Sequence, residues 1–117
     1  MLNLSKARRY FIYHDITDMR KGVDSLCGIV RNEFKANPLS GDVFIFFNRR
    51  KIVVKLLCWD DDGFCIFYKR LEKGCYELPH LNGSSKQMLV SSETLTCILY
   101  GISLASIKKR KRYFKAA

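Results

Sequence analysis

The run Val43-Phe44-Ile45-Phe46-Phe47 constrains the fold of this chain more than any other segment. Its residues are all aromatic or β-branched, and they lie between the turn-forming Ser40-Gly41-Asp42 and the polar Asn48-Arg49-Arg50-Lys51. It is too short for a helix and offers no alternate polar residue to a solvent face, so it predicts a central strand buried on both faces. Ile52 to Trp59 has the same character and predicts a hairpin whose cationic tip is Arg49, Arg50 and Lys51. Asp60-Asp61-Asp62-Gly63 reads as the next turn, in which Asp accepts backbone hydrogen bonds and Gly supplies a positive φ. Phe64 to Leu71 is then the third strand of a meander, and Glu72-Lys73-Gly74 turns it into a fourth at Cys75 to Leu78, with Met88 to Val90 an optional short addition to these four.

Two helical patterns flank these strands. Tyr10 to Tyr13 reads as an edge or opening strand, after which Asp15, Thr17 and Asp18 are helix-starting residues. Met19, Val23, Leu26, Cys27, Val30 and Phe34 then recur at spacings of three and four, and Asn37-Pro38 ends the pattern. Near the other terminus Ser91 or Ser92 caps a second stripe of Leu95, Ile98, Leu99 and Ile102. The order β-α-β-β-β-β-α predicts an α+β fold, an antiparallel β-meander with two helices packed on it.

At 117 residues the chain has the size of one domain, and 48% apolar residues suffice to fold it without staples, which excludes general disorder. No run approaches the length of a spanning helix, and the polar, basic start has no apolar stretch behind it, so a soluble cytoplasmic protein is expected, nucleoid-associated when bound to DNA. The odd set Cys27, Cys58, Cys65, Cys75 and Cys97 lies in apolar segments and predicts reduced, unreactive thiols serving as small hydrophobes. Twenty-one Lys and Arg against eleven Asp and Glu give a net charge of +10, which favours polyanionic partners. Lys108, Lys109, Arg110, Lys111, Arg112 and Lys115 concentrate that charge in a tail, so the expected organisation is one domain over residues 1–107 and a basic tail over 108–117.

Several segments together carry a resemblance. Thr17-Asp18-Met19-Arg20-Lys21-Gly22, Ser40-Gly41-Asp42-Val43-Phe44-Ile45-Phe46 with Asn48-Arg49-Arg50, Leu57-Cys58-Trp59-Asp60 through Gly63-Phe64-Cys65, and Tyr68-Lys69-Arg70-Leu71-Glu72-Lys73-Gly74 occur in an order and spacing that resembles the accessory protein TnpB of IS-66 type bacterial insertion sequences. The likeness runs from about Tyr10 to Ile102 and is unrelated to the larger RNA-guided nuclease of the same name. It implies a role in transposition beside a separate transposase and a second small accessory protein, and it supplies no mechanism.

The residues themselves offer a mechanism. Arg49, Arg50 and Lys51 at the hairpin tip, with Lys55, Lys69 and Arg70 on the adjoining strands, suit a phosphate-gripping surface, because guanidinium forks donate paired hydrogen bonds. The same charges would also serve as a solvated turn and a protected sheet edge. Trp59, Tyr68 and Tyr76 are candidate stacking platforms, with core packing the reading their apolar strands favour. Arg20 and Lys21, in the first turns of the first helix where cations are disfavoured, call for a bound anion or for pairing with Asp15, Asp18 or Asp24. Asp60, Asp61 and Asp62 suggest Mg²⁺ only superficially, since adjacent turn residues point in different directions. No CxxC pair is present, His14 and His80 lie far apart, and a Cys75/His80 nucleophile pair has no activating neighbour.

The expectation is therefore a protein without catalytic residues, metal or cofactor, an accessory factor for transposition that binds DNA or the transposase–DNA complex. Its expected contacts are Arg20, Lys21, Arg49, Arg50, Lys51, Lys69, Arg70, Lys108, Lys109, Arg110, Lys111 and Arg112. The alternative is an adaptor to the transposase that touches no nucleic acid, and a third reading is a small metal-dependent nuclease.

Overall fold

The computed structural model describes residues 4–80, 83 and 85–103. Its elements are β1 (Tyr10–Ile16), α1 (Val23–Asn32), β2 (Val43–Phe47), β3 (Val53–Asp60), β4 (Gly63–Arg70), β5 (Gln87–Val90) and α2 (Ser92–Tyr100). The order β-α-β-β-β-β-α is the expected one, and the sheet runs β4-β3-β2-β1-β5.

The sheet is mixed rather than wholly antiparallel. β2, β3 and β4 form the meander, whereas β1 lies parallel to β2 and antiparallel to β5. A helix between two neighbouring strands returns the chain to the end where the first strand began, so β1-α1-β2 is a parallel crossover. β1 is consequently an interior strand and not an edge.

Side chains alternate across each strand, and the two helices cover opposite faces. On one face Leu26, Cys27, Val30 and Phe34 pack against Tyr13, Phe44, Phe46 and Leu57. On the other, Leu95, Ile98 and Leu99 meet Tyr10, Ile12, Val43, Ile45, Phe47, Val54 and Leu56. This three-layer arrangement is why every residue of Val43–Phe47 is buried.

Four local expectations change. Helix α1 begins at Val23 rather than near Asp15 to Asp18, because β1 continues to Ile16 opposite Phe47 and the Thr17 N–H donates to the Phe47 carbonyl at 3.0 Å. Cys75 to Leu78 forms no strand. Instead the Tyr76 N–H donates to the Lys51 carbonyl at 2.7 Å, and its buried ring packs edge-on to Phe47 at 5.4 Å, lacing the segment after β4 to the hairpin tip. In the β3–β4 turn the left-handed residue is Asp61 (φ 52) and not Gly63. Helix α2 follows expectation at its start, where the Thr94 N–H donates to Ser91 Oγ at 3.0 Å, but Gly101 (φ 72) ends it and leaves Ile102 outside, exposed.

Candidate nucleic-acid interface

Strand register decides which loops share an end of the sheet. Ile16 opposite Phe47, Val53 opposite Arg70 and Tyr13 opposite Gln87 place residues 17–22, 48–52, 71–76 and the start of β5 together. That end holds Arg20, Lys21, Arg49, Arg50, Lys51, Lys55, Lys69, Arg70, Lys73 and Lys86, which outnumber the nearby carboxylates Asp15, Asp18, Asp24, Glu33, Glu72 and Glu77. The opposite end gathers Asp42, Asp60, Asp61, Asp62 and Glu93 with Lys6, Arg8, Arg9, Arg31 and Lys35, so its charges nearly cancel. The body is thus electrostatically polarised along its strands.

The hairpin tip is built by Asn48. Its side-chain oxygen accepts from the Ile52 and Val53 N–H groups at 3.0 and 3.1 Å, and its carbonyl accepts from the Lys51 N–H at 3.1 Å. Lys51 takes a left-handed φ of 56, which closes the loop and leaves Arg49 and Arg50 exposed. Neither arginine makes a side-chain hydrogen bond or salt bridge among the described residues. Lys51 is half-buried near His14, whose imidazole is held below its ordinary pKa by burial and by that neighbouring charge.

Other expected contacts have internal partners. Arg20 precedes α1 instead of lying in its first turns, and it grips Asp18, with Nη2 2.6 Å from Oδ2 and Nε 3.0 Å from the same oxygen. Hydrogen bonds from the Arg20 side chain and backbone hold the Asp18 carboxyl down to about 2. This ion pair, rather than an anion at a helix start, accounts for Arg20. Lys69 lies on the α2 face, where its ammonium donates to the Leu99 carbonyl at 3.3 Å and sits 5.1 Å from the Tyr100 ring centroid. A cation there complements the carbonyl end of α2. Lys21 and Arg70 remain exposed. Lys108, Lys109, Arg110, Lys111 and Arg112 lie outside the described residues.

Lys55 has a role that spacing alone does not reveal. Its ammonium donates to the Met19 and Lys21 carbonyls at 2.7 and 2.9 Å, tying the loop before α1 onto β3. Lys86 pairs with Asp15 at 3.0 Å. The three candidate aromatics separate: Tyr76 is buried, Trp59 packs on Phe64 at 5.0 Å, and Tyr68 is 53% exposed. Tyr68 therefore departs from the core packing expected of it, because β4 is an edge strand and α1 does not reach that part of the face.

Cys65 and Cys75 are also exposed, contrary to the expectation of five embedded thiols, while Cys27 and Cys97 are buried and Cys58 is half-buried. Burial raises the Cys27 and Cys58 thiols above their ordinary pKa. Among the described residues no three His, Cys, Asp or Glu side chains converge as a metal site, and no helix is long and apolar enough to cross a membrane.

The sequence profile of the IS66 Orf2-like proteins matches residues 8–109, a span that includes both helices and all the strands. The chain belongs to this family. An IS66 Orf2-like protein is a transposition-associated accessory protein. Two relatives from Sinorhizobium fredii (strain NBRC 101917 / NGR234) are similar to it along most of their length. The uncharacterized protein y4hO is 35% identical over 102 residues, covering 87% of each chain. The uncharacterized protein y4jC is 27% identical over 119 residues, covering 100% of each. No solved structure matches the chain.

Proposed function

We propose that this IS66 Orf2-like protein is a non-enzymatic accessory factor that binds DNA, or the transposase–DNA complex, through the basic end of its sheet. The observation that carries the reading is the hairpin tip: Arg49 and Arg50 stand exposed and unpaired among the described residues, on a backbone that Asn48 holds in one shape. Guanidinium groups presented from a fixed loop contact phosphates in a defined orientation and so position a duplex or a complex, without reading its sequence. Lys21 and Arg70 extend the same surface, and since charges nearly balance at the opposite end, the basic end is the side that attracts a polyanion. The cognate transposase and the second accessory protein of the element are the protein partners in this reading.

Salt titrations of binding to terminal-repeat and random duplex DNA, beside a transposition assay, test it. Replacing Arg49, Arg50 and Lys51 together by Ala should impair transposition and flatten the salt dependence, by roughly 0.9 log units per log unit of salt for each phosphate no longer neutralised. Unchanged binding and transposition would overturn the assignment. Loss of transposase capture with no DNA binding by either protein form would make the protein an adaptor, and strand cleavage that requires Mg²⁺ would make it a nuclease.

A further inference from the structure

We infer that the surface around Tyr68 is a stacking site for single-stranded DNA, an inference that rests on the proposed nucleic-acid binding and specifies which form of DNA this part of the protein takes. Tyr68 stands on the edge strand β4, on the face that α1 covers elsewhere, and it is 53% exposed. Its neighbours along the same face of β4, Phe64 and Ile66, pack against the core beneath α1. Tyr68 lies beyond that cover, and its hydroxyl makes no hydrogen bond among the described residues. The ring therefore adds little to the core.

Its surroundings are cationic. The Lys55 ammonium sits 5.9 Å from the ring centroid and is itself fixed by the Met19 and Lys21 carbonyls, so the ring, β3 and the loop that carries Lys21 form one connected surface. Arg70 stands two residues along the same face of the strand, directly across from Val53, where β3 leaves the arginine tip. An exposed aromatic ring flanked by cations that follow a strand edge is the arrangement that binds unpaired nucleic acid: bases stack on the ring while the cations track the backbone. A duplex gains little from such a ring, since its bases already stack on one another and present only phosphates and edges. Transposition is a DNA reaction, which selects DNA over RNA as the strand taken.

The test compares binding of fluorescent single-stranded DNA, duplex DNA and single-stranded RNA of the same length by wild type, Tyr68→Leu, Tyr68→Trp and Arg49→Ala/Arg50→Ala, with thermal melting to establish that each variant is folded. Tyr68→Leu should weaken single-strand binding by roughly ten-fold while leaving duplex binding unchanged, and Tyr68→Trp should restore it. The arginine double variant should weaken both. Equal effects of Tyr68→Leu on single strand and duplex, or none on either, overturn the stacking site while leaving duplex binding through the basic end intact. Absence of all DNA binding by the wild type overturns both readings. Tighter binding of RNA than DNA overturns the choice of DNA, and loss of transposase capture in Tyr68→Leu with unchanged single-strand binding makes the patch a protein-docking face.

Discussion

Asp18 and Arg20 illustrate how a cation that looks available in a sequence is engaged by a neighbour. The Arg20 guanidinium and backbone N–H both donate to the Asp18 carboxylate, and these bonds hold its pKa at about 2 against an ordinary 3.8. A carboxyl depressed in the folded state adds stability that is fully present above the unfolded value and is lost as pH falls through the folded one. The pair is exposed, so its effect on overall stability is small. The Asp18 carboxyl carbon should therefore titrate at about 2 by NMR, and Asp18→Asn should remove the part of the acid sensitivity that lies between about 4 and about 2. The same variant frees Arg20 and should strengthen DNA binding modestly, read by anisotropy at low salt. Thiol chemistry separates equally by position: Cys65 and Cys75 should label quickly with a maleimide, and Cys27 and Cys97 only on unfolding, as counted by mass spectrometry. Rapid labelling of Cys27 or Cys97 in the native protein would show that the helix faces open.

At the scale of elements, two turns carry backbone demands that can be measured. Asn48 satisfies two N–H groups at the β2–β3 tip, so Asn48→Ala should lower stability by about 1 kcal/mol, as a half-buried acceptor is removed and its donors must find water. Because that tip presents Arg49 and Arg50, the variant should also weaken DNA binding although it removes no charge. In the β3–β4 turn Asp61 occupies a left-handed conformation. Asp61→Gly should be neutral or stabilising, whereas Asp61→Ala should cost about 1 kcal/mol in a denaturant melt, because a Cβ without a local hydrogen bond disfavours that region. The helices were legible from spacing, since Leu26, Cys27, Val30, Leu95, Ile98 and Leu99 all reach the core. Helix boundaries were less so. β1 extends through Ile16 because it has a partner strand in β2, and a pairing partner so distant in sequence leaves no local signal.

For the whole molecule the governing feature is the uneven charge along the strands, with an excess of cations at the end that bears the arginine tip and near balance at the end that bears the Asp60 to Asp62 turn. Replacing Asp60, Asp61 and Asp62 by Asn should thus leave the affinity for DNA nearly unchanged, while deleting residues 108–117 should weaken binding to any sequence about equally and reduce the salt dependence. If the deletion abolished transposition while the Arg49, Arg50 and Lys51 replacements did not, the function would reside in the tail. The strands, the two amphipathic helices, the positions of the turns and the excess of positive charge follow from the sequence by itself, because periodicity, turn chemistry and composition act over a few residues. Only the tertiary structure decided that β1 enters the sheet parallel to β2, that the helices cover opposite faces, that Cys75 to Leu78 laces rather than pairs, and that Tyr68 stands in solvent. It also separated the cations engaged by partners within the chain, Arg20, Lys55 and Lys69, from Arg49 and Arg50, which have none among the described residues. Those outcomes depend on which distant segments meet when both faces of β2 are buried, and no local pattern encodes the identity of a long-range partner.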